Sequence, residues 1–411
     1  MAAHSRYPLL IRRLKTNQPP SISHVQPRSA SQTLKRLDYL PSDDLFLHPL
    51  LQLSYPLSME DVICDISAFN YYRVPPQVLG LYPVLPAAVD DPNHNKKLLS
   101  PLATDILRLP IHRLIDDRQK RTGARRYRSH LFGGELPFGS VRQTPHDFSI
   151  ASPALTLFTL SRRVSRYTLL KAMYEMCGSF SIYTPPQHIA SLLTKDNERK
   201  ASEAMGSAPW EQVSAHDGKP TNLWKRAPLV MPDELVSYAE SLRPVNGYRN
   251  FLECARLVSG ITASPFEAQL SLLLSLPRKF GGYGISCFEN NQKIRLTKAA
   301  RLLSGKRTCY ADLLFEQGDM DKQLILEAQG ATVHNNDRSA LLDADRATGL
   351  QSMGYNVVMV TYEQLRDEQR FDALADLVLK ELGMKRPSWN GKQLKARSEL
   401  RRHILGSWDE L

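Results

Sequence analysis

Apolar positions along this chain change period several times, and each change marks an element. Between Thr308 and Gly330 two β-prone apolar runs carry Asp312 and Glu327, fifteen positions apart. The intervening Gln317-Gly318-Asp319-Met320-Asp321 allows the runs to fold back as an antiparallel pair, which would bring Asp312 close to Glu327. Helical periodicity dominates elsewhere. Ala154 to Leu160 is preceded by Ser152 as N-cap and Pro153 at the first helical position. Tyr167 to Met176 is a second helical segment, stopped by Gly178. Helices are also expected over Pro232–Leu242, Gly247–Leu257 and the strongly apolar Ser264–Leu276, which ends at Pro277. Phe280-Gly-Gly-Tyr-Gly284 reads as a turn. After the two strands come a helix from about Arg338 to Met353, a strand at Tyr355–Thr361 and an amphipathic helix at Phe371–Leu382. The order helix, strand, strand, helix, strand, helix predicts an α/β fold with a mixed sheet flanked by helices.

The same reading divides the chain. Residues 1–44 are basic, Ser- and Pro-rich and read as a flexible tail. Residues 45–183 form a separate α+β N-terminal region, and 184–228, rich in Pro, Ser, Gly and Lys with little periodicity, a linker. Residues 229–383 hold helices and the α/β domain, with its core at 264–383, and 384–411 a basic C-terminal tail. There is no internal repeat.

Composition adds a partner class. The 411 residues are 42% hydrophobic and 8% aromatic, as in ordinary globular chains. Lys and Arg outnumber Asp and Glu by 53 to 42, a net +11 that favours a polyanionic partner, nucleic acid above all. A dense cationic stretch, Asp116 to His130, contains Arg121, Arg125, Arg126 and Arg128 around Tyr127, suited to phosphate contacts and base stacking. The plain alternative is a solvated loop. The five cysteines include no CxxC pair, so neither a zinc site nor a disulfide framework is indicated, and a reducing cytoplasm is expected. No apolar run has the length to cross a bilayer, and the N-terminus shows no signal-peptide core. There is no Walker A loop, and Gly281-Gly-Tyr-Gly284 is too short for a dinucleotide fingerprint.

The candidate chemistry lies in the two strands. An Asp within a strand is unfavourable without a partner, and so is Glu327 inside Leu-Ile-Leu-Glu-Ala. Alternation puts Glu327 and Gln329 on one strand face. Two converging carboxylates are the minimum for a hard divalent cation such as Mg²⁺, or Mn²⁺ in its place. Glu267, in Ser264-Pro-Phe-Glu267, also reads as the glutamate of a capping box, bonded to the Ser264 amide. Arg346, beside Asp345, reads equally as half of a surface ion pair.

Glu267 on a helix, Asp312 on a strand and Glu327-Ala-Gln329 on the next resemble the PD-(D/E)XK restriction-endonuclease-like superfamily. Within it, the chain is similar to the very-short-patch-repair-endonuclease-like branch. Asp312-Leu-Leu-Phe315, Leu326-Glu-Ala-Gln-Gly330, His334, Asp343 with Arg346, Gly354-Tyr-Asn-Val357 and Thr361 to Leu365 follow that branch's order and spacing over residues 264–383. Arg128-Ser-His130 followed by Ser152-Pro-Ala-Leu-Thr-Leu157 resembles the segment before the nuclease-like domain in AbiEi-type abortive-infection antitoxin-like proteins.

The resemblance implies a Mg²⁺-dependent nuclease acting on DNA, in a phage-defence or toxin–antitoxin-like setting with a protein partner. Asp312 and Glu327 would hold the ion, and Glu267 would complete the cluster directly or through water. Arg338 and Arg346 would contact phosphate. Gln329 stands where family members often carry a Lys that orients the attacking water; Gln is uncharged and is no general base. His334 would take over part of that role. Two other functions stay open: a DNA-binding protein that keeps the fold without turnover, and a protein-interaction module with a basic surface.

Overall fold

The computed structural model describes residues 62–83, 100–121, 125–215, 217–316, 323–329 and 337–409, with only the backbone of 337–343. All of them fall in one unit, Leu57–Leu411. The first 61 residues, expected as tail and the start of the N-terminal region, lie outside the described residues.

Helix α1 (Asp65–Tyr72) packs beside a parallel strand pair, β1 (Ile111–Ile115) and β2 (Tyr127–Leu131). Ile63, just before α1, bridges both to Arg113 of β1 and to Ile150 of the small hairpin β3 (Val141–Gln143) and β4 (Ser149–Ala151). Helix α2 (Pro153–Ser161) begins as the sequence predicts, with Ser152 Oγ accepting the Leu155 N–H and Pro153 in the first turn. All nine of its residues are buried, which marks a helix with protein on every side. Its two threonines are satisfied internally, Thr156 donating to the Ala151 carbonyl and Thr159 to those of Leu155 and Thr156. Helix α3 (Arg166–Cys177) follows, and strand β5 (Phe180–Ile182) leaves it at Gly178.

The expected linker is not one. Within 184–228 lie helix α4 (Lys195–Ala204) and strands β6 (Glu211–Ser214) and β7 (Pro220–Lys225), and β7 pairs with both β5 and β6. Trp224 anchors the hairpin: it is buried, and its indole N–H donates to the Tyr183 carbonyl at 2.8 Å. Polar short elements hide this from periodicity.

Helices α5 (Pro232–Ser241), α6 (Tyr248–Ala255) and α7 (Pro265–Ser275) match the expected segments to within two residues. Next comes strand β8 (Phe288–Arg295), then helix α8 (Lys298–Ser304), neither of which the sequence reading placed. Strands β9 (Thr308–Phe315) and β10 (Leu324–Gln329) are the predicted antiparallel pair. Helix α9 (Asp337–Ser352) then crosses to β11 (Asn356–Thr361), which lies parallel to β10. The sheet order is β11-β10-β9-β8, mixed as expected. Leu313, Phe315, Leu324, Leu326 and Val360 face the main core, while Ile294, Cys309, Ala311 and Ile325 pack with Ala300 of α8 and Leu350 of α9. Gly349 lets α8 and α9 approach: a Cβ there would meet the Ala300 carbonyl at 3.1 Å.

Helix α10 (Glu368–Glu381) covers the main-core side, and α11 (Gly391–Ile404) replaces the expected basic tail. Asn390 and Gln393 form its capping box. Of the tail's cations, Arg397 and Arg401 are buried. Arg397 bonds Glu368 and the Tyr283 hydroxyl and pairs with Asp372, whereas Arg401 donates to the carbonyls of Leu365 and Arg366. Gly281, at φ +89°, admits this helix, since a Cβ would sit 2.5 Å from the Ala396 carbonyl oxygen.

The N-terminal region is therefore not separate. One apolar cluster joins Phe69, Phe158 and Tyr174 to Leu272, Leu326, Val378 and Trp408. Arg73 of the first region, paired bidentately with Glu175 at 2.8 and 3.0 Å, also donates to the Trp408 carbonyl near the C-terminus. No helix among the described residues is long and apolar enough to cross a membrane.

Candidate functional site

Cross-strand pairing between β9 and β10 includes Leu314 with Ile325 and Leu313 with Leu326. One residue further, the same register sets Asp312 opposite Glu327. There the side chain of Asp312 acts as the acceptor: the Ala328 N–H donates to its Oδ2 at 2.7 Å. The partner that a strand-interior aspartate needs is thus a backbone amide of the next strand.

Glu327 is 2% exposed and pairs with Arg346 of α9. Neither carboxylate oxygen of Glu327 has a hydrogen-bond partner among the described residues. Arg346 is therefore no surface partner of Asp345; the register of α9 turns its guanidinium onto the sheet, leaving a quarter of it exposed. Gln329, half-buried, lies two residues beyond Glu327 and pairs with Thr361 of β11.

Glu267 reaches the same place from α7. It is buried at the third helical position, and Ser264 Oγ accepts its N–H at 3.2 Å. Its carboxylate takes the Ala263 amide at 2.7 Å and the Ser264 hydroxyl at 2.8 Å, so the cap is shifted one residue from the expected Ser264 amide. Burial and then the Asp312 charge push its pKa up to about 8, against the pull of those two donors and of Arg346. Glu267 thus caps α7, and its carboxyl group feels the Asp312 charge.

Among the described side chains, three carboxylates are thus brought near one guanidinium, that of Arg346. The donors are all oxygen, and two of them, on Glu327, lack directed partners. That chemistry fits a hard divalent cation. The ligand atoms are not gathered tightly enough to form a three-residue cluster; among the described residues only Asp65, His112 and His130 do so, within 4.8 Å.

That second cluster is what the sequence reading missed. Asp65 is fully buried at the start of α1, His112 lies on β1 and His130 on β2. Their ring and carboxylate atoms meet with Arg163 Nη1, which stands 3.1 Å from Asp65 Oδ1. Burial holds His130 down to about 4, opposed by the Asp65 charge. No spacing signals it, since Asp65, His112 and His130 come from three separate segments and Arg163 lies 98 positions from Asp65.

His334 lies outside the described residues, as does the side chain of Arg338 on α9. Arg121, Arg125, Arg126 and Arg128 are all exposed where the chain enters β2. Tyr127 is half-buried beneath the Arg113 guanidinium, 5.2 Å from its ring centre, so this face of the ring is covered. No protein-family model matches the chain, and searches of curated proteins and of solved structures also gave no match.

Proposed function

We propose that the chain is a metal-dependent nuclease of the restriction-endonuclease-like class acting on DNA phosphodiester bonds. The observation that carries this is the approach of Glu267, Asp312 and Glu327, from α7, β9 and β10, to the guanidinium of Arg346. The surrounding order α7-β8-α8-β9-β10-α9-β11, in which β8, β9 and β10 are successively antiparallel and β11 is parallel to β10, supports the same reading. Asp312 and Glu327 would hold Mg²⁺ or Mn²⁺, with Glu267 behind them. Such an ion, when bound, polarises a phosphate and lowers the pKa of a bound water. The protein's own part is to position the carboxylates: the Ala328 amide fixes Asp312, and the cap at Ser264 fixes Glu267. Arg346, a quarter exposed, is placed to contact a phosphate if it releases Glu327. The exposed arginines at β2 would add salt-sensitive, sequence-independent affinity for the backbone.

A second reading has its own observation. Gln329 carries no charge, and Arg346 already neutralises Glu327, as expected of a fold that binds DNA without cutting it. Duplex DNA incubated with Mg²⁺ or Mn²⁺ separates the two. Cleavage by the wild type and none by Asp312→Ala or Glu327→Ala supports the nuclease. Equal binding without cleavage by all three supports the binding protein, and cleavage unaffected by both substitutions removes the site from the reaction.

A further inference from the structure

We propose that Asp65, His112 and His130 form a second metal site, for a divalent first-row transition ion such as Zn²⁺, with Arg163 as the competing cation. His112 and His130 come from paired strands: Arg128 is the register partner of His112, and His130 lies two residues beyond it on the same face. Asp65 is delivered by an unusual backbone, φ +55° at a non-glycine residue, held by its N–H donating to Thr159 Oγ1 at 3.0 Å. Left-handed backbone at an aspartate is a strained conformation that concentrates at functional positions.

The spacing is that of a coordination polyhedron. His112 Nδ1 lies 3.1 Å from His130 Nε2 and 3.2 Å from Asp65 Oδ1, and His130 Nε2 lies 3.7 Å from Asp65 Oδ2. Ligands about 2.1 Å from one ion are about 3.0 Å apart at a right angle and about 3.4 Å apart at the tetrahedral angle.

Hydrogen bonding leaves part of this cluster unsatisfied. Arg163 Nη1 donates to His112 Nδ1 at 2.7 Å, which requires a lone pair on that nitrogen. Asp65 Oδ1 accepts the Ile66 N–H at 2.6 Å and Arg163 Nη1 at 3.1 Å. Asp65 Oδ2 is in addition fully buried with no hydrogen-bond partner among the described residues, although it faces the cluster. A cation at the centre answers every one of these lone pairs, and the guanidinium already stands there in part. Arg163, with a third of its side chain exposed, has room to leave. Two imidazoles and one carboxylate favour a borderline transition ion over Mg²⁺ or Ca²⁺, and three protein ligands leave a position open for water or substrate.

The test uses full-length protein stripped with EDTA and titrated with Co²⁺, whose visible absorption reports nitrogen and oxygen coordination. One equivalent should bind with a visible band that Zn²⁺ displaces. His112→Ala and His130→Ala, checked for folding by circular dichroism, should each weaken binding by at least the ~10–100-fold that loss of a supporting residue costs. Arg163→Ala should bind more tightly than wild type, and Glu327→Ala should keep the band. Absence of a stoichiometric band in both wild type and Arg163→Ala overturns the proposal. So does a band that survives both histidine substitutions, or one that disappears with Glu327.

Discussion

Replacing Glu267 by Gln probes the carboxylate cluster through stability alone, without any assumption about substrate. The carboxyl group titrates near 8 in the folded protein against an ordinary 4.5, the rise coming from burial and then from Asp312. Between those two values the folded state keeps a proton that the unfolded chain releases, so folding stability falls as pH rises through the window. At 1.36 kcal/mol per unit, ionising Glu267 between pH 5 and 9 costs the wild type about 4 kcal/mol. Gln has nearly the same shape and no charge, so the variant should lack this decline. It has only one acceptor oxygen for the Ala263 amide and the Ser264 hydroxyl, a loss of about 1 kcal/mol. Urea denaturation from pH 5 to 9 should therefore show two crossing lines. The variant would be about 1 kcal/mol weaker at pH 5 and about 3 kcal/mol stronger at pH 9. Taking the difference between the two proteins removes other titrations, including that of His130. Parallel lines, or a variant that becomes relatively weaker towards pH 9, would refute the claim that burial and the Asp312 charge raise the pKa of the Glu267 carboxyl.

Other outcomes follow from the same geometry. Arg346→Ala leaves Glu327 buried without its counter-charge and should cost about 3–5 kcal/mol, read by denaturation, with millimolar Mg²⁺ restoring part of it. No Mg²⁺ effect on this variant would argue against an ion at Glu327. Glu175→Gln strands the buried Arg73 charge that ties α1 and the C-terminus to α3, and should likewise cost about 3–5 kcal/mol in a single cooperative transition. Two separate transitions in wild type would contradict the shared core. Leu326→Ala, at a fully buried position facing that core, should cost about 2–5 kcal/mol, and a loss under 1 kcal/mol would place β10 elsewhere.

What could be read from the residues follows from how local each signal is. Ser152-Pro153 and Ser264-Pro265 announce α2 and α7 because an N-cap and a first-turn proline act within one turn. The β9–β10 pair was legible because its apolar runs flank a short polar loop, and the Asp312–Glu327 juxtaposition follows from their register. Strand β8, Phe-Glu-Asn-Asn-Gln-Lys-Ile-Arg, was not legible: it lies at the sheet edge with mostly polar side chains, and period gives no contrast there. Helix α11 failed for a related reason. Its arginines look like a solvated tail until Asp372, Tyr283 and two backbone carbonyls, all distant in sequence, take up Arg397 and Arg401. The Asp65 cluster had no local signature, since its members come from separate segments and only the tertiary fold brings them together.

The most direct measurement of the central claim is nicking of supercoiled plasmid DNA in Mn²⁺ or Mg²⁺, comparing wild type with the isosteric variants Asp312→Asn and Glu327→Gln. These keep the packing and remove one negative charge each from the cluster. The account predicts ion-dependent nicking by wild type, abolished by EDTA and lost in both variants while their melting temperatures stay at or above that of wild type. Nicking that persists in Asp312→Asn and Glu327→Gln would contradict it.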